Sequence, residues 1–113
     1  MSREVKRVAA NFRWPENKVW DGYFKDEKVE PPSGDWWQLW EDVSEGSPVT
    51  PSFETKEELI EWLVTHGDSS DRHAGRGGWT RQAAEQIVEM GWAPSMIFTG
   101  GRAYTPRTGF PRE

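Results

Sequence analysis

The residues best suited to chemistry in this chain lie together in Arg72-His73-Ala74-Gly75-Arg76-Gly77-Gly78-Trp79-Thr80-Arg81. Glycines let a backbone approach a ligand closely, guanidinium groups fork around a phosphate, and free amides at a helix N-terminus complete an anion site. Arg72, His73, Arg76, Thr80 and Arg81 are therefore candidate contacts for a nucleotide or another phosphate ligand. The stretch departs from known phosphate loops, since no Lys-Ser/Thr pair closes it and it lacks the spacing of a dinucleotide fingerprint. The simpler expectation is a surface loop whose arginines pair with neighbouring acids.

Other chemistry is less well supplied. Asp68, Asp71 and His73 share one loop, whereas a hydrolytic metal centre needs three ordered ligands around an open position. No metal and no cofactor are expected. His66 fits the last turn of a helix, where positive charge is favoured. Ser44-Glu45-Gly46-Ser47-Pro48 reads as a turn, because it is no Gly-x-Ser-x-Gly elbow and has no histidine nearby in sequence. Glu57, Glu58 and Glu61 read as the solvated face of a helix. An enzyme is thus the least favoured class.

Binding is the stronger theme. The chain holds 8 tryptophans in 113 residues, and three fall in Trp36-Trp37-Gln38-Leu39-Trp40. Side chains alternate along a strand, so Trp36, Gln38 and Trp40 share one face while Trp37 and Leu39 share the other. Trp36 and Trp40, with Gln38 between them, are the candidate partner-binding residues, since exposed indoles are favoured interface anchors. Their neighbours are acidic and not basic, which favours a protein partner over single-stranded nucleic acid. The competing expectation covers that face with the N-terminal segment and Trp14. Trp20, Trp37, Trp62 and Trp92 are expected in the core.

Bulk properties agree with a small binding domain. The length predicts one domain over residues 1–113, with a flexible N-terminus at 1–4 and a loose tail at 106–113. Apolar residues make up 35% of the chain, so aromatics must supply much of the buried area. The absence of cysteine excludes disulfides, thiolate metal sites and a cysteine nucleophile. No stretch approaches the ~20 apolar residues of a membrane span, and the first residues lead into no signal-peptide core, so a cytoplasmic setting is expected. The net charge of −5 argues against non-specific nucleic-acid binding. Charge is also unevenly spread. Asp35, Glu41, Asp42, Glu45, Glu54, Glu57, Glu58 and Glu61 crowd the middle, while Arg72, Arg76, Arg81, Arg102, Arg107 and Arg112 populate the C-terminal third.

The elements that must position these residues read as α+β, a small antiparallel sheet packed against two helices. Val5 to Phe12 is predicted as the first strand, with Val8, Ala10 and Phe12 on one face. Lys18 to Phe24 reads as a loop or short extended piece, and Lys25 to Gly34 as a surface connection. Trp36 to Val43 is the best strand, and Pro48 to Phe53 returns beside it as an edge. Thr55-Lys56-Glu57-Glu58 is a capping box that opens a helix with the apolar stripe Leu59, Ile60, Leu63 and Val64, closed by Gly67. Asp68 to Gly78 is predicted as a polar loop. Thr80 caps a second helix through Met90, with the stripe Ala83, Ala84, Ile87 and Val88 and a stop at Gly91. A hairpin is predicted around Gly100-Gly101.

Several strings also resemble, in order, a family of small uncharacterised phage and prophage proteins. They are Trp14-Pro15-Glu16-Asn17-Lys18-Val19-Trp20-Asp21-Gly22-Tyr23, then Trp37-Gln38-Leu39-Trp40-Glu41-Asp42-Val43-Ser44-Glu45-Gly46-Ser47-Pro48-Val49-Thr50-Pro51, then Glu57-Glu58-Leu59, then Gly91-Trp92-Ala93-Pro94-Ser95-Met96. The resemblance runs from about Phe12 to Tyr104. Many members of that family carry a cysteine-rich, zinc-binding-type insertion where this chain has only Phe24 to Glu30, so no metal role transfers. The resemblance implies a setting in the bacterial host cell; together with the small size, acidic surface and surplus tryptophan it leads us to expect a protein partner there, with inhibition of a defence or regulatory system as one form. It supplies no activity and no catalytic residues.

Overall fold

The computed structural model describes residues 2–24, 26–27, 29–42, 46–94, 97–99, 102–104 and 109. The fold is α+β, as the patterning predicts. Strands β1 (Ser2–Val8), β2 (Trp36–Asp42), β3 (Ser47–Pro48) and β4 (Trp92–Pro94) form an antiparallel sheet in the order β3-β2-β1-β4. Helices α1 (Lys56–His66) and α3 (Arg81–Met90) pack on one face of it, with a short helix α2 (Ser69–His73) between them in sequence. A single 3-10 turn spans Asp21–Phe24, and β5 (Ile97–Thr99) pairs with β6 (Arg102–Tyr104) in a separate hairpin. That hairpin was expected around Gly100 and Gly101, which lie outside the described residues, as do Val43 and, apart from Gly109, the tail from 105.

The first strand begins and ends earlier than its apolar pattern suggests. Ser2 to Glu4, expected to be loose, pair with Asp42 to Trp40 on one side and with Pro94 to Trp92 on the other. The chain then leaves the sheet after Val8, and Asn11 takes a positive φ of 58° that turns it away from the strand direction. Ala10 and Phe12 therefore belong to the next segment and not to β1. Val8 still has a strand-like neighbour, through an isolated bridge to Ser33.

Both main helices start and stop where their caps dictate. The Thr55 hydroxyl accepts the Glu58 amide at 3.2 Å, and it donates to the Glu58 carboxylate at 3.1 Å in place of the full reciprocal box. Gly67 closes α1 with φ 72°, its amide donating to the Leu63 carbonyl. Thr80 accepts the Ala83 amide at 3.1 Å to open α3, and Gly91 ends it in the left-handed region. The apolar stripes meet over β2 in one core of Leu39, Val49, Leu59, Leu63, Trp79, Ala83, Ala84 and Ile87.

Between the helices the expected polar loop contains α2. Asp68 caps it through the Asp71 amide at 3.0 Å, and Asp71 returns the contact to the Asp68 amide at 3.1 Å. Beyond α2 the chain crosses the end of α1 so closely that the Trp79 amide reaches the Leu63 carbonyl at 2.8 Å. Only glycine fits at position 78 in that crossing, because a Cβ there would lie 1.9 Å from the Val64 carbonyl oxygen.

Gly75, by contrast, faces open space and needs glycine for its φ of 74° alone. Urea unfolding of Gly78→Ala is therefore expected to show a loss of roughly 3 kcal/mol or more, and Gly75→Ala a loss of about 1 kcal/mol. Equal midpoints for the two variants would contradict the close crossing.

Candidate functional site

The arginine loop is assembled around acids. Arg72, at the end of α2, forms a two-pronged ion pair with Glu16, with Nη1 3.3 Å from Oε2 and Nη2 on Oε1. Arg76 Nε donates to Asp71 Oδ1 at 2.8 Å, and Arg81 Nη2 to Glu61 Oε1 at 2.7 Å. Thr80 is engaged as the α3 cap, and His73 is exposed. The candidate phosphate contacts are thus dispersed over three acidic partners and do not converge on one point. The expectation of arginines paired with acids describes this region; a phosphate cradle does not.

The centre of the region is a carboxylate that the patterning predicts in a loop and the structure places in α2. Asp71 is buried, and its Oδ2 accepts the Trp79 indole N–H at 2.7 Å as well as the Asp68 amide. Asp68, also buried, accepts Arg3 Nε at 3.0 Å and so ties β1 to the start of α2. Arg3 reaches Glu41 on β2 as well, at 3.6 Å. Burial pushes the Asp71 carboxyl up, but hydrogen bonds from Arg76, Trp79 and Asp68 outweigh it and hold it below the usual aspartate range. Among the described residues no group of three acids and histidines is placed to hold a metal ion. The spacing Asp68-Ser69-Ser70-Asp71 was itself a capping signal that could have revealed this short helix.

The tryptophan face follows the competing expectation, a cover by the N-terminal segment and Trp14, over Trp40 and Gln38. Trp40 and Gln38 are 0% and 1% exposed and cannot meet a partner directly. They are removed from the candidate binding surface. Residues 11–20 lie over this face as a strap. Phe12 stacks on Trp40 with ring centroids 6.5 Å apart, Trp20 meets Phe12 edge-on at 5.6 Å, and Trp14 meets Trp20 at 4.7 Å. Lys6 lies 5.5 Å from the Trp40 ring on the same face. The buried polar atoms are satisfied: Trp40 Nε1 donates to Gln38 Oε1 at 2.8 Å, and Gln38 Nε2 to the Thr50 carbonyl at 2.9 Å.

The other tryptophans also redistribute. Trp79 is fully in the core, with its N–H on Asp71. Trp20, Trp37 and Trp62 are half-buried, and Trp92, expected in the core, is 47% exposed at the sheet edge. Arg7 covers the outer side of Trp37, its guanidinium carbon 3.8 Å from the ring centroid.

Trp36 alone of the three proposed contacts keeps an accessible surface. It lines a groove of about 520 Å³ between the strap and the segment after β3. Phe12, Trp14 and Pro15 form one wall and Pro51 and Ser52 the other, with Trp36 and Gln38 beneath. Ser52 donates to the Phe12 carbonyl at 2.6 Å and pins the two walls together. Arg13 also lines the groove, exposed and without a hydrogen-bond or ion-pair partner among the described residues. Sequence reasoning missed Arg13 because the groove depends on where the strap lands, and only the aromatic-proline strings on both walls hinted at it.

Comparison with family models, with curated proteins and with solved structures found no match to this chain. Among the described residues no helix is long and apolar enough to cross a membrane.

The Asp71 arrangement has a pH signature. Its folded pKa is lowered, so its stabilisation is complete above the ordinary aspartate value of about 3.9 and is lost as pH falls through the lower folded value. Asp71→Asn is expected to cost roughly 2 kcal/mol near neutral pH, the scale of hydrogen bonds to a charged group. The difference from wild type should shrink between about pH 5 and pH 2. Urea midpoints measured across that range give the test; a pH-independent difference would contradict a charged, hydrogen-bonded Asp71.

Proposed function

We propose that this protein is a non-enzymatic binding protein of a phage or prophage, and that it engages a protein of the bacterial host through the groove at Trp36. The observation that carries the binding role is the groove itself. It is of a size usual for recognition sites, and its lining mixes the aromatic and proline side chains Phe12, Trp14, Pro15, Trp36 and Pro51 with the polar Asn11, Arg13, Glu16, Gln38 and Ser52. Trp36 provides the kind of large, half-exposed anchor around which binding energy concentrates. The phage setting rests on the resemblance of the tryptophan-bearing strings, and within it binding would act by inhibiting a defence or regulatory system.

The nucleotide reading has less behind it. Each arginine it needs already has an acid, and a phosphate there would have to displace Glu16, Asp71 or Glu61. A nucleotide panel is accordingly expected to leave the melting temperature unchanged. A bound nucleotide at a hundred times its Kd would add about 2.7 kcal/mol and would revive that reading.

The binding role is tested by capture from a bacterial lysate with the full chain and three variants. Trp36→Ala and Arg13→Ala are expected to lose the captured protein, while Trp92→Ala, at the distant exposed indole, retains it. Capture at full yield by Trp36→Ala and Arg13→Ala, with unchanged circular dichroism, overturns the assignment of the groove.

A further inference from the structure

The groove carries information about the chemistry of its occupant. Its two titratable side chains have different fates. Glu16 is engaged by Arg72, whereas Arg13 has no hydrogen-bond or ion-pair partner among the described residues. By contrast Arg3, Arg7, Arg72, Arg76 and Arg81 all donate to an oxygen of the protein. In a chain of net charge −5, the groove is therefore a local site of uncompensated positive charge. A guanidinium held at the edge of aromatic walls is complementary to a carboxylate.

The walls add a second constraint. Trp14, Trp36, Pro15 and Pro51 give the groove its apolar surface, interleaved with the polar Asn11, Gln38 and Ser52. The indole N–H of Trp14 is engaged by the Lys18 carbonyl at 2.9 Å, while that of Trp36 has no partner among the described residues. A free indole donor beside an aromatic-proline surface suits a chain that keeps its carbonyls outside any helix or sheet. A polyproline II segment is such a chain: it has no internal hydrogen bonds, it costs little to order, and it turns every three residues.

We propose that the groove between residues 11–16 and 51–52 binds an extended, proline-containing peptide segment bearing a carboxylate, with its prolines on Trp14 and Trp36 and the carboxylate on Arg13. This rests on the reading of the groove as a protein-binding site and specifies what that protein presents. The Trp36 N–H donates to a peptide carbonyl, and the three-residue period brings successive acids to the Arg13 side while prolines face the indoles. The anchoring walls need little rearrangement, because the Ser52 bond to the Phe12 carbonyl already holds them together.

The test uses the full chain, isotopically labelled, titrated with three capped nonapeptides: repeats of Pro-Pro-Glu, of Pro-Pro-Lys and of Ser-Gly-Glu, with AMP as a fourth probe. Pro-Pro-Glu is expected to move the amide resonances of Phe12, Arg13, Trp14, Trp36 and Ser52, and to bind about tenfold more tightly than either other peptide. Arg13→Gln, at an exposed side chain, should erase the preference for glutamate over lysine without changing Pro-Pro-Lys binding; Trp36→Ala should weaken both proline peptides. Equal binding of the three peptides, shifts outside the groove, or AMP binding there in preference to any peptide overturns the proposal. If no peptide binds but the lysate partner still protects the groove resonances, the proposed chemistry fails and the protein-binding role stands. If neither peptide nor partner protects them, both fail.

Discussion

The burial of β2 on both faces is the constraint from which the rest of the structure follows. Leu39 points into the helical core and Trp40 points the other way, and both are fully buried. A four-stranded sheet with helices on one side would leave Trp40 in water. The strap of residues 11–20 supplies the second layer, with Phe12, Trp14 and Trp20 as its aromatic filling. A buried indole removes ~150–250 Å² from solvent, or roughly 4–6 kcal/mol of transfer free energy, so one such layer compensates for the scarcity of aliphatic residues. Gln38 is the polar cost of this arrangement. It lies in the middle of the layer, and it is tolerable because its carbonyl accepts from Trp40 while its amide donates to Thr50.

A second polar system fixes how the helices sit against the sheet. Asp68 and Asp71 exchange backbone amides across one turn, which leaves each carboxylate a free oxygen or lone pair for a distant donor. Asp68 uses it for Arg3 on β1, and Asp71 for Trp79 and Arg76 on the approach to α3. Segments far apart in sequence are thereby joined around two buried charges. Removing one partner from such a set leaves an uncompensated charge or donor inside, so its members act as a unit. The pairing also engages each of Arg72, Arg76 and Arg81 in the Arg- and Gly-rich loop with a carboxylate of the fold.

What could be read in the sequence divides along the range of the interactions involved. The two main helices were legible because Thr55, Gly67, Thr80 and Gly91 act on amides and carbonyls within one turn. The antiparallel, one-sided helix-on-sheet class was legible from the same stripes and from the alternation through Leu39. The N-terminal strand was misplaced because Val8, Ala10 and Phe12 continue a two-residue period that Asn11 interrupts with a positive φ, a turn that local pattern does not announce. Which tryptophans are buried was legible only in part: a cover over Trp40 by the N-terminal segment was one of two expectations, whereas nothing pointed to Trp79. Trp79 and Trp92 are equally apolar in composition, yet one finds Asp71 for its N–H and the other lies at a sheet edge. Which indole is buried depends on what the rest of the chain packs against it: Trp79 finds Asp71, Trp40 its strand neighbour Gln38, and the buried Trp62 N–H has no partner among the described residues.

The contrast between Trp36 and Trp40 shows how a cover leaves a groove beside it. The two residues share one face of β2, four positions apart, and would be interchangeable on a bare sheet. Along the strap, burial alternates as in an extended chain: Phe12, Trp14 and Glu16 face inward while Asn11, Arg13 and Pro15 face out. Phe12 lands on Trp40 and seals it. Trp36 instead lies where the two edges of the cover, at Trp14 and Pro51, remain apart, and the groove is the gap between them. The outward set of the alternation then places Arg13 in that gap with no acid to neutralise it. One structural requirement, the covering of Trp40, thus leaves beside it an aromatic floor, proline-lined walls and an unpaired cation. The groove is a geometric consequence of how this small chain hides one of its largest side chains.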